Sequence, residues 1–221
     1  TALPQRHIMA VLLRLEDSLQ QCADSQGEIW SALRHFLSTQ RDRGEAVAKA
    51  SALYQQLTPQ DPVLRWGWLF SVHHELPEYY SSPQEEDREL ERLRMQALEE
   101  LGQSSDRWLL LGKLAESAAA PWIFAGLLTK ASWAAAVEQQ LRSASSFGPI
   151  ASIAPNFLAR RLYGRDFADT EALLVEWMAA GRENDVLHVA LSLSGSADAR
   201  ESLLWDLVER FGELLLGQYW Q

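Results

Sequence analysis

The chain has one cysteine, Cys22, in 221 residues, which excludes an internal disulfide and any metal site built from several thiolates. Such cysteine usage fits a reducing compartment, and a cytoplasmic location is expected. Cys22 falls near the end of an apolar helical pattern with no Lys or Arg beside it, so an inert or half-buried thiol is expected rather than a nucleophile. Basic charge is also short: 20 Lys and Arg stand against 30 Asp and Glu, a formal net charge of -10. That field repels phosphate backbones and anionic lipid, so neither nucleic acid nor a membrane is an expected partner. The arginines that cluster in sequence, Arg41 with Arg43 and Arg160 with Arg161 and Arg165, read as solvated helix ends. No stretch approaches the run of about 18 apolar residues that a membrane helix needs, and no basic-then-apolar leader precedes a cleavage site.

Catalytic motifs are missing too. Ser194-Gly195-Ser196 lacks the flanking pattern of a nucleophile elbow and has no strand before it, so it reads as a turn between helices. Neither a Walker-type loop nor a Gly-x-Gly-x-x-Gly fingerprint occurs, which leaves no phosphate cradle of known kind. His73-His74-Glu75 is the one histidine pair, but a zincin places two histidines four apart on one helical face with Glu between them. The adjacent pair reads instead as a helix C-terminus, where histidine complements the dipole. Glu85-Glu86-Asp87 and Glu99-Glu100 have the residue types for acid–base work or a hard cation. They are interleaved with basic residues on an amphipathic pattern and read as a solvated face. No catalytic residue, cofactor or metal is expected.

What is present is helical. Hydrophobic residues make up 47% and charged residues 23%, a balance that folds. Ile8, Val11, Leu12, Leu15 and Leu19 form a helical stripe, as do Ile29, Trp30, Leu33, Phe36 and Leu37, and then Val47, Ala50, Leu53, Tyr54 and Leu57. Pro59 and Pro62 stop the third stripe, and Asp61-Pro62 reads as an N-cap with proline at the first helical position, followed by Leu64, Trp66, Leu69 and Phe70. A loop is expected over 76–83, then a charged helix over 83–101 with a narrow stripe of Leu90, Leu93, Ala97, Leu98 and Leu101. Further helices are expected over 106–118, 121–129, 132–143, 149–163, 166–181, 184–194 and 197–218, bounded by Gly, Pro or Ser clusters. The segments over 121–129 and 106–114 are apolar nearly all round, which predicts inner layers. About twelve helices with short turns and no strand predict an all-α fold: one single array over 1–221 of stacked antiparallel helices, as a HEAT-like α-solenoid or an irregular helical array.

Nine tryptophans form an unusual load, and most of them fall in line with a helix's apolar stripe. Trp66 and Trp68 lie two apart, so one helix cannot turn both inward. One of them, with Tyr79 and Tyr80 from the loop, is expected to line a groove. Trp66, Trp68, Tyr79 and Tyr80 are therefore the candidate partner-binding surface.

The run Leu53-Tyr54-Gln55-Gln56-Leu57-Thr58-Pro59-Gln60-Asp61-Pro62-Val63, followed by Arg65-Trp66-Gly67-Trp68-Leu69-Phe70 and Glu75-Leu76-Pro77, resembles a segment in the helical C-terminal portion of very large bacterial NTPase-linked or defence-associated multidomain proteins. Leu114-Ala115-Glu116-Ser117 with Pro121-Trp122 is similar to the next helix pair of that family, and Tyr219-Trp220 to the start of its following segment. The resemblance implies a helical-repeat region of a larger polypeptide that senses or docks a partner while a distant domain does chemistry. A first residue of Thr1 and an ending at Trp220-Gln221 likewise predict a fragment of a longer protein. The leading expectation is thus a non-catalytic interaction or sensor scaffold whose partner is another protein or another domain of the same polypeptide. The alternative is a helical small-molecule-binding or enzymatic domain with a pocket between helices, for example His188 with Asp185 or Glu183. A spacer that only separates two domains is a third reading.

Overall fold

The computed structural model describes residues 5–19, 26–40, 44–72, 74–162, 167–194 and 209. Every regular element among them is helical: α1 Gln5–Leu19, α2 Gln26–Thr39, α3 Glu45–Gln56, α4 Pro62–Trp66, α5 Pro83–Gln103, α6 Arg107–Ser117, α7 Pro121–Leu128, α8 Ala134–Ser143, α9 Ala154–Leu162, α10 Phe167–Ala179 and α11 Glu183–Ser194, with short 3₁₀ turns at Gly67–Phe70 and Gly148–Ile150. Apart from Glu209, the helix expected over 197–218 lies outside the described residues, as do Cys22, Arg41, Arg43, His73, Arg165, Gly195, Ser196, Trp205 and Trp220. No described helix is long and apolar enough to cross a membrane.

The chain divides into two compact units, Thr1–Ala97 and Leu98–Gln221. In the first, α1 and α2 both pack on α3. Leu12 of α1, Trp30, Leu33 and Leu37 of α2, and Ala46, Ala50 and Leu53 of α3 form its core, with Leu57 closing the end. Leaving water is what holds these stripes together, at about 25 cal/mol per Å² of apolar surface removed. The Asp61 side chain accepts a 2.7 Å hydrogen bond from the Val63 amide, and Pro62, which has no amide hydrogen to satisfy, opens α4. α4 then tightens into the 3₁₀ turn at Gly67. In a 3₁₀ turn successive residues are spaced more widely around the axis than in an α-helix, and this brings Leu69 and Phe70 inward behind Trp66.

In the second unit α9 is central: α7, α8 and α11 pack on it, and α10 packs on α11. Ala154, Pro155, Phe157, Leu158, Ala159 and Leu162 are all buried along its length. The sequence suggests one helix from 149 to 163, but the chain makes a 3₁₀ turn at Gly148–Ile150 and starts α9 only at Ala154. Pro155 is the reason. In a helix begun at 149 it would remove an interior hydrogen bond and clash with the preceding turn, whereas in a first turn it costs nothing.

Two glycines permit close packing. A β-carbon at Gly112 of α6 would lie 2.7 Å from Cβ of Pro149, and one at Gly102 near the end of α5 would lie 2.5 Å from the Trp133 indole. That indole is buried, donates from Nε1 to the Leu98 carbonyl at 3.0 Å, and meets Trp108 edge-to-face at 5.9 Å. Glu99 completes the junction by accepting from the Ser132 amide at 2.7 Å and from its hydroxyl.

The expectation of inner layers for α6 and α7 needs correcting. Leu111 and Leu114 of α6 and Phe124 and Leu128 of α7 are fully buried, yet Leu109, Trp122 and Ile123 are exposed. An apolar circumference does not bury a helix at its ends, where neighbours stop covering it.

Candidate functional site

The four candidate residues differ in burial. Trp66 is buried, with the Arg65 guanidinium 4.7 Å from its ring centroid. Trp68 is half-buried: its indole donates to the Arg65 carbonyl at 2.8 Å, its ring meets Trp30 edge-to-face at 6.4 Å, and the Arg34 guanidinium covers it at 4.2 Å. Tyr79 is 41% exposed and Tyr80 partly so. Burial, with Glu78 and Glu89 next, pushes the Tyr80 phenol up, and Arg92 opposes them.

The segment carrying the two tyrosines is irregular but fastened. At its start the Arg94 Nε of α5 donates to the Leu69 carbonyl at 2.8 Å. In its middle Leu76 is buried, and Nδ1 of His35 on α2 lies 2.9 and 2.8 Å from the two carboxylate oxygens of Glu75. At its end the Ser82 carbonyl accepts the Glu85 and Glu86 amides, each at 3.1 Å, and so starts α5. The chain has already left helical structure at Ser71, so His74 meets no helix C-terminus of its own segment, contrary to the sequence expectation. Its Nδ1 has no partner.

Beneath this segment sits a cluster that pattern reading does not find. Arg34, only 9% exposed, lies 5.0 Å from the Trp30 centroid as well as against Trp68. Trp30 stacks on Tyr54 at 4.9 Å with 9° between planes. Arg34 donates from Nη2 to the Ser31 hydroxyl at 3.2 Å and shares a hydrogen bond with Tyr54, while its Nε and the Trp30 Nε1 have no acceptor. Burial lowers the Arg34 pKa, opposed by Tyr54 and Glu75. The same burial pushes the Tyr54 phenol up to about 12 against the pull of Arg34. The spacing of Trp30 and Arg34, one helical turn apart, is a local signal. Their meeting with Trp68 and Glu75 is not.

Several polar groups of the second unit are engaged in structure. Glu138, buried, pairs with Arg142 one turn along α8 and with Arg161 of α9, both at 2.9 Å. The Arg160 guanidinium lies against Gly126, where a β-carbon would come within 3.2 Å. Asp185 pairs with Arg182 at 2.9 Å, while Glu183 and His188 are exposed. Glu85 and Asp87 are exposed on α5. No group of three or more His, Cys, Asp or Glu is placed to hold a metal ion among the described residues. Compared with known proteins, the chain matches no family model, no curated protein and no solved structure.

Proposed function

We propose that the chain is a non-catalytic α-helical scaffold or sensor of the cytoplasm, part of a larger bacterial multidomain protein, with helices stacked in a HEAT-like array. It docks another protein, or another domain of the same polypeptide, through the segment bearing Tyr79 and Tyr80 and the accessible part of Trp68. The observation that supports this reading is an accessible tyrosine pair on a segment fastened at both ends and in the middle. Tyrosine offers large contact area with a polar tip, and a backbone already ordered before binding loses less entropy on association. Trp66, being buried, acts as support rather than contact.

The test is retention of a specific partner from host lysate by wild type, Tyr79→Ala, Tyr80→Ala, Trp68→Ala and, as a control on an exposed indole of the second unit, Trp122→Ala. Each variant is first checked for unchanged helical circular dichroism. The expected outcome is a loss of roughly 2 kcal/mol in affinity, about thirtyfold, for at least one of the first three, as for an interface hot spot. Equal retention by all variants, or turnover of a substrate abolished by a substitution in a polar cleft, would sink the reading.

A further inference from the structure

Arg34 and His35 are successive residues of α2, about 100° apart around the helix, and the charge of the same carboxylate acts on both. Glu75 is held on the outer side, with both oxygens within 2.9 Å of His35 Nδ1. On the inner side Arg34 feels the charge of Glu75, yet its Nε donor is buried and has no acceptor. His35 and Glu75 are both well exposed in this pair, whereas Arg34 is buried.

We propose that Glu75 is a two-position carboxylate, held on His35 while the imidazole carries its proton and drawn to the Arg34 Nε once the imidazole is neutral. An imidazolium gives the carboxylate a charge-assisted hydrogen bond; a neutral imidazole gives an ordinary one, and only in the tautomer with hydrogen on Nδ1. Arg34 stays charged throughout and keeps a buried donor whose lack of an acceptor is costly. The outer pair is screened by water and therefore weak, which allows one proton to decide between the two positions.

The other groups around this centre are Tyr54 of α3, Arg65 of α4 and His74 beside Glu75. Tyr54, whose phenol is pushed up to about 12, keeps its charge state between about pH 5 and 8, where histidine titrates. His74 is the competitor to be separated.

Side-chain ¹H–¹⁵N spectra of the arginines, recorded on the full chain across that range, read the exchange directly. The expected result is a downfield shift of the Arg34 Hε resonance as pH rises, sharing its midpoint with the His35 ring. Glu75→Gln removes the shift, His35→Asn holds the resonance at its high-pH position throughout, and His74→Gln leaves the shift in place. An Arg34 resonance that does not move in wild type, still moves in Glu75→Gln, or stops moving in His74→Gln overturns the proposal.

Discussion

Arg182 shows how much a single side chain can join. It follows Gly181, whose φ of 74° places it in the left-handed region that costs other residues about 1–2 kcal/mol. The Arg182 amide donates back to the Trp177 carbonyl at 2.9 Å and the Gly181 amide to Met178 at 3.0 Å, the two bonds of a Schellman ending of α10. The guanidinium then lies 4.1 Å from the Trp177 centroid and 5.3 Å from Phe147, donates to the Leu141 carbonyl at the end of α8, and pairs with Asp185 of α11. Arg182→Met is expected to lower stability by about 3 kcal/mol, because the half-buried Asp185 carboxylate and a helix-end carbonyl lose their donor; urea denaturation measures it. Tyr54 gives a second prediction. Its folded phenol is pushed up to about 12, while an unfolded tyrosine ionises near about 10. The unfolded state therefore sheds its proton first, and the Tyr54 contribution to stability is whole below about pH 10 and declines between about 10 and 12. A phenolate absorbance titration should show a late-ionising component that shrinks by one tyrosine in Tyr54→Phe; an unchanged late component there would assign it to other residues.

Helices were the most legible part of the sequence, because a stripe of period 3.6 and a cap are local signals. Asp61-Pro62 illustrates this: the expected cap is made, by a 2.7 Å hydrogen bond. The misreadings occur where a distant neighbour decides. One stripe over 149–163 does not reveal that Pro155 must sit in a first turn, and the apolar sequence of α7 does not reveal that Trp122 and Ile123 face outward. Close approaches are equally hidden, since nothing in Leu101-Gly102-Gln103 announces an indole from residue 133. Gly102→Ala and Gly112→Ala are each expected to destabilise by about 1–3 kcal/mol, the range for overpacking. The first should also shift tryptophan fluorescence, because the Trp133 indole has to move. Thermal unfolding equal to wild type in both would show that these helices tolerate wider spacing.

At the scale of the whole molecule, helical periodicity makes the all-α class plain and composition the excess of negative charge. The candidate surface was legible only in part. Tyr79 and Tyr80 lie in an irregular segment within the expected loop, but Trp66 is buried, and the fastening of the segment by His35, Leu76 and Arg94 depends on contacts across 25 to 40 positions. A photo-crosslinking residue placed at Tyr79, with a second protein carrying it at Trp122, tests the central claim most directly when both are expressed in the host. The account predicts one discrete adduct from position 79 that fades when Tyr80→Ala is added, and no such adduct from position 122. Adducts from 122 alone, or the same adducts from both positions, would contradict it.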